Sequence, residues 1–300
     1  PSLSRDRLPA DMQTLQLTYG GQILLHGFQI EQSQVMPGQP MNITLYWEAL
    51  TPIRQDYSVF VHLQGRGGDI IGQSDSYPAR GTRPTSTWQV GEVIVDRHRL
   101  TVPVDAVTPV LGRVLAGLYT LPDFGTLDAT DPRGESVGGS PTLGRLKVAA
   151  TQGEVLHISR PRFDRFGHSI ALMGCDISQP QVQAGGQVTV TLYWQGLAPP
   201  ERDYTVFLHL VPQGEATASE NGQPLAQIDE QPLAGDYPTS AWAPGDIIRD
   251  PHVLTVPADV PPGRYMLQTG LYELETRRRL PVGDERSGTG DCISLVEIEV

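Results

Sequence analysis

The sequence predicts an all-β protein: two tandem β-sandwich domains of immunoglobulin-like or jelly-roll type, arising from an internal duplication. Three observations predict it. The string TLYW stands at residues 44–47 and again at 191–194. Around both occurrences apolar residues alternate with a period of two, the signature of half-buried strands. Glycine and proline together make 58 of the 300 residues, as many turns between short strands would require.

The repeat extends far beyond four residues. "GGQILLHGFQIEQSQVMPGQPMNITLYWEALTPIRQDYSVFVHL" faces "GHSIALMGCDISQPQVQAGGQVTVTLYWQGLAPPERDYTVFLHL" at an offset of 147, which sets Gly27 against Gly174, Gly38 against Gly185, Asp56 against Asp203 and His62 against His209. A seven-residue insertion around "EATASENG" moves the offset to 154, where "PTSTWQVGEVIVDRHRLTVPVD" lies against "PTSAWAPGDIIRDPHVLTVPAD". The domains are therefore expected at 1–150 and 151–300, joined near "AATQGEVLH" at 149–157.

Strands follow in order near 23–29, 41–48, 57–64, 70–75, 93–102, 113–120 and 143–149, and at matching positions of the second half. In "MNITLYWEA" Ile43, Leu45 and Trp47 share a face, as do Val190, Leu192 and Trp194 later. "DYSVFVHL" sets Tyr57, Val59, Val61 and Leu63 on one face and Phe60 and His62 on the other. "GRGGD" at 65–69 and "ENG" at 220–222 read as hairpin connections. In "PPGRY", Pro262 and Gly263 suit the centre of a type II turn. Seven or eight short strands per half, with no amphipathic helix, describe a sandwich.

Composition narrows the function. The net charge of −12 argues against nucleic acid, whose phosphates call for clustered Lys and Arg. The acidity is uneven, with 14 acids against 12 bases in residues 1–150 and 20 against 10 in residues 151–300. No apolar run approaches the ~18–20 residues of a membrane helix, so no transmembrane segment is expected within this chain. The chain opens at Pro1 with neither a basic nor an apolar leader, which reads as a mature product or part of something longer.

Few residues suggest chemistry. Asp96 and His98 stand two apart on one strand face, and Asp250 and His252 repeat the pattern around Pro251. Such a pair can orient a general base or begin a metal site, or it can be a hydrogen-bonded pair at a sandwich end. Pro251 removes a ladder donor and so suggests an edge strand or bulge. His62 and His209 read as packed or half-exposed histidines. "DATDPRGE" at 128–135 lacks the residue order of a calcium loop and reads as a turn. Trp88 and Trp242 lie in loops after "PTST" and "PTSA", where each could stack on a sugar or plug the sandwich end. No nucleophile elbow, P-loop or zinc signature is present, and no catalytic residue, metal or cofactor is assigned.

"FGHSIALMGCDISQPQVQAGGQVTVTLYW", "DYTVFLHL", "YPTSAWAPGDIIRD" and "VPPGRYMLQTGLYE" resemble β-sandwich modules near the C-termini of Chloroflexota membrane glycosyltransferases and related surface proteins. The first half departs from them with "GTRPTSTWQVG" and the longer "DFGTLDATDPRGESVGGS". The resemblance implies an extracytoplasmic, non-catalytic accessory module. Cys175 and Cys292 both lie in the second half, with Phe28 and about Ser140 at the matching places, so both cysteines are missing together from the first. That suggests a disulfide, and an exported module would allow one to persist.

The expected function is a non-enzymatic, extracytoplasmic module for cell-surface assembly, spacing or recognition, with surface proteins or cell-surface glycans as partners and self-association possible. Two alternatives stand beside it. One is a carbohydrate-binding module accessory to a membrane glycosyltransferase, which wants Trp88 or Trp242 exposed. The other is a structural subunit of a surface layer or filament.

Overall fold

The computed structural model describes residues 2–150, 156–213, 223–283 and 290–300. The chain divides into two compact units, Pro1–Thr151 and Gln152–Val300. The described residues are strands, turns and short 3-10 segments, and the chain is all-β. The "EATASENG" insertion and its "ENG" turn lie outside the described residues.

The first unit contains β1 (Ser2–Leu3), β2 (Gln13–Tyr19), β3 (Ile23–Ile30), β4 (Gln34–Val35), β5 (Pro40–Ala49), β6 (Ser58–Gln64), β7 (Ile70–Ser76), β8 (Val93–Thr101), β9 (Val110–Tyr119), β10 (Ala129–Thr130), β11 (Ser136–Gly138) and β12 (Thr142–Val148). One sheet runs β1-β8-β5-β3-β2-β10-β11 and the other β4-β12-β9-β6-β7. The second unit contains β13 (Arg160–Phe166), β14 (Ile170–Ile177), β15 (Gln187–Gly196), β16 (Tyr204–Pro212), β17 (Ala226–Glu230), β18 (Ile247–Thr255), β19 (Arg264–Glu273) and β20 (Ile293–Glu299). Its sheets run β13-β14-β15-β18 and β17-β16-β19-β20. Pro251 sits on β18, an edge strand, where a missing N–H costs no ladder bond on the open side.

The period of two places the core. Ile43, Leu45 and Trp47 on β5 and Val59, Val61 and Leu63 on β6 are each at most 1% exposed, so both inward rows fall on the expected face. Tyr19 meets Trp47 edge-on at 5.4 Å in the first unit, and Phe166 meets Trp194 at 5.7 Å in the second. Gly27 and Gly174 sit at register shifts in β3 and β14, where a Cβ would stand 2.1 Å from the Gln13 carbonyl oxygen and 2.4 Å from that of Arg160. Only glycine fits there.

Two local expectations resolve differently. "DATDPRGE" is a hairpin turn between β10 and β11, closed by Asp131, whose carboxylate accepts the N–H groups of Arg133 and Glu135 at 2.9 Å each. Gly263 does not take the positive φ of a type II turn. Its backbone pairs with Val300 in both directions at 3.0 Å, which holds it as a continuation of the ladder.

Candidate functional site

β8 and β18 each carry an aspartate and a histidine on the inward face, facing the edge strand of the opposite sheet. In the first unit His98 Nε2 donates to Asp96 Oδ2 at 2.8 Å, and both side chains are fully buried. In the second unit His252 Nε2 donates to Asp250 Oδ2 at 2.9 Å, again buried. The other carboxylate oxygen has the same task in both units. Asp96 Oδ1 accepts the N–H of Ala79, and Asp250 Oδ1 accepts that of Leu233, each at 2.8 Å.

Those two amides belong to unusual backbone. Ala79 and Arg80 have φ of 53° and 56°, and Leu233 and Ala234 have 56° and 54°. The left-handed region costs a residue with a Cβ roughly 1–2 kcal/mol. A hydrogen bond to a buried charged acceptor contributes about 1.5–3 kcal/mol, enough to offset much of that cost. The aspartates therefore hold the turn that joins the two sheets at this edge.

The units differ at the remaining ring nitrogen. His98 Nδ1 lies 3.1 Å from Ser74 Oγ on β7, whereas His252 Nδ1 lies 2.9 Å from Glu230 Oε1 on β17. The first unit thus contains a Ser74–His98–Asp96 chain that no sequence spacing revealed. Burial pulls the His252 pKa down, but the hydrogen bonds and charges of Asp250 and Glu230 outweigh it and hold the group above the ordinary histidine value. Trp194 Nε1 also donates to Asp250 Oδ2, at 3.3 Å.

Trp88 and Trp242 are plugs. They are 5% and 2% exposed, and their indole N–H groups donate to the carbonyls of Arg83 at 2.9 Å and Tyr237 at 3.1 Å. The sugar-stacking expectation for these residues is corrected: a ring sealed on both faces and bonded at its tip has no surface to offer. His62 and His209 are half-buried on the outer faces, beside Asp75 at 3.7 Å and Asp229 at 3.4 Å.

The expected disulfide is also corrected. Cys175 and Cys292 are free. Cys175 points into the core, in register with Leu192 and 1% exposed. Cys292 precedes β20 in the opposite sheet, and its thiol lies 3.9 Å from Gln268 Oε1. Gln268 alternates with the buried Leu267 and Thr269 and so faces outward. The two sulfurs therefore point to different sides of one sheet, and burial pushes both thiols up in pKa.

Two further clusters escaped sequence reasoning. Glu48 is buried, with Arg5 Nε at 2.6 Å from Oε2, a second guanidinium contact to Oε1, and His26 Nε2 at 2.6 Å. Burial alone would raise the Glu48 pKa, yet these partners bring it below the ordinary value. Leu3, Leu8 and Met12 pack over Tyr46, Val93 and Val95 beside it, so the N-terminal segment covers this outer face. Phe124 is 66% exposed at φ 56° and stacks on Tyr119 at 5.8 Å, with Leu121 46% exposed nearby in sequence. In the second unit Arg277 at φ 58° takes the corresponding place, its guanidinium 5.5 Å from the Tyr272 ring centre.

The chemistry available is limited by occupancy. Asp250 and Glu230 approach His252 from opposite ring nitrogens, so the three cannot converge on one ion. Among the described residues no group of three or more His, Cys, Asp or Glu is arranged to hold a metal. No helix among them is long and apolar enough to cross a membrane. No family model matches the chain, and no curated protein matches it.

Proposed function

We propose that this chain is a non-catalytic, extracytoplasmic β-sandwich module that serves cell-surface assembly, spacing or recognition, with surface proteins or cell-surface glycans as partners. One observation carries the non-catalytic part. Both oxygens of Asp96 and Asp250 and both ring nitrogens of His98 and His252 are bonded to the chain's own groups, inside the sandwich. A general base must come within reach of a substrate proton, and the side chains of both Asp–His pairs are at most 1% exposed, closed off inside the sandwich. The extracytoplasmic part rests on the resemblance of the LYW and YPTSxWxPG strings to surface modules, because the free thiols supply no support from redox compartment.

Ser74–His98–Asp96 is the strongest rival, and it gives the test. A serine activated for acyl transfer would react with a fluorophosphonate probe. The proposal expects no labelling of the full chain above a heat-denatured control. Labelling abolished by Ser74→Ala would establish a nucleophile and defeat the non-catalytic reading.

A recognition role is favoured by Phe124. Phe124 stacks one face on Tyr119 and is 66% exposed, so it presents an open ring face. Phe124→Ala should leave stability within about 0.5 kcal/mol while weakening retention of the chain on its parent cell envelope. Equal retention of the variant removes this face from consideration.

A further inference from the structure

In the second unit both nitrogens of one buried imidazole face carboxylates. Glu230 Oε1 and Asp250 Oδ2 each stand 2.9 Å from the ring, and an ionised carboxylate only accepts. A neutral imidazole has one N–H, so one carboxylate would then face a nitrogen lone pair. An imidazolium satisfies both. In the first unit the partner at Nδ1 is the Ser74 hydroxyl, which can donate or accept, so that ring is satisfied in either protonation state.

We infer that Glu230, His252 and Asp250 form a pH-operated clasp between β17 and β18, closed by the imidazolium, and that the Ser74–His98–Asp96 link at the corresponding edge of the first unit is a fixed tie. The clasp joins two sheets, because β17 and β18 belong to opposite ones. It also bears on the turn Pro232–Gly235, whose Leu233 amide Asp250 holds.

The groups facing His252 are few. Asp250 comes from β18 and Glu230 from β17, while β15 presents Val190, its register partner. On β16, Val206 and Leu208 line the same inward face, as register partners of Glu230 and Ile228. The charged pair His209–Asp229 lies on the opposite face of that sheet. Glu230 is 39% exposed, so on loss of the ring proton it can turn to water, whereas Asp250 cannot. Opening therefore begins at β17.

The sign follows from linkage. A histidine whose folded pKa is raised binds its proton more tightly in the fold, so its stabilisation is complete below the ordinary value of 6.5 and is lost as pH rises through the folded value. Between those limits one extra proton is held by the closed form. The ratio of closed to open forms then falls by up to about tenfold per pH unit, and levels off beyond.

Two measurements on the full chain test this. In a histidine nitrogen NMR titration, the His252 ring should show two protonated nitrogens at pH 6.5 and lose one only at higher pH. Amide exchange in Ala226–Glu230 and Pro232–Gly235, corrected for intrinsic rates, should quicken by up to about tenfold per pH unit across that window. Glu230→Gln, whose amide can donate to a neutral ring, should flatten the dependence. A neutral His252 ring at pH 6.5 overturns the proposal without any variant being needed. A wild-type exchange profile in Glu230→Gln overturns it as well.

Discussion

Replacing Asp96 by alanine tests the structural reading of the Asp–His pairs most directly. The carboxylate is fully buried and serves two donors, the Ala79 amide and His98 Nε2, at 2.8 Å each. Its removal strands both. A buried donor left unpaired costs about 1–3 kcal/mol, and breaking one side of a buried ionic link typically costs about 3–5 kcal/mol. Some of this returns if Ala79 and Arg80 relax from the left-handed region, worth roughly 1–2 kcal/mol each. The expected net loss for the first unit is about 3–4 kcal/mol, or a fall of roughly 10 °C in its melting temperature. Asp96→Asn keeps one acceptor for Ala79 and a donor for the other ring tautomer, so it should cost only about 1–2 kcal/mol. Amide exchange read separately over β8 and β18 assigns the effect to its unit. If Asp96→Ala stays within about 0.5 kcal/mol of wild type, or matches Asp96→Asn, the aspartate is not holding the turn.

Trp88→Phe and Trp242→Phe each lose a bonded indole N–H and part of a plug, and denaturant melts should register about 2 kcal/mol for either. Gly27→Ala and Gly174→Ala force a Cβ onto a neighbouring backbone carbonyl, so each should cost more than about 3 kcal/mol or fail to give soluble protein. Intact mass after alkylation without reductant should show both thiols modified in the unfolded chain, and a mass two hydrogens lower with no alkylation would restore the disulfide. Burial pulls the His209 pKa below 6.5 against the opposing effect of Asp229. Its contribution is thus present above 6.5 and lost as pH falls through the folded value, and His209→Gln should remove that part of the acid limb of a stability–pH curve.

Much of the fold was legible because the strand period is a local property. The inward rows of β5, β6 and their matches follow from alternation alone. Gly27 and Gly174 are matched in sequence and lie at equivalent bulges. The cysteines show where alternation stops helping. Counting by twos from Ile170 and Leu172 would turn Cys175 outward, but the register shift between Leu172 and Gly174 reverses the face and turns it into the core. Cys292 lies just before β20, where no strand parity is defined. Glu48, His26 and Arg5 come together across 22 and 43 residues of chain, through strand pairing and an N-terminal strap that no spacing encodes. Of the candidate site, the Asp–His pairs were visible as two-residue spacings, but their third partners were not.

Those third partners differ for a reason that the register makes plain. The outward carboxylates of the two edge strands sit at matched positions: Asp75 pairs across to Phe60 and Asp229 to Phe207, and each reaches the histidine two residues along, His62 or His209. The inward partners are out of step. Ser76 occupies the register place of Glu230, opposite Val59 and Val206 respectively, yet it is Ser74 that meets His98. A shift of two keeps the same face of a strand, so either position can point at the histidine ring, and side-chain length decides which one arrives. A short serine must start nearer the ring, while a glutamate can reach from farther along. Asp and His are fixed by the left-handed turn they hold. Nothing in that turn prescribes what meets Nδ1, so the same backbone accommodates a hydroxyl partner in one unit and a carboxylate partner in the other.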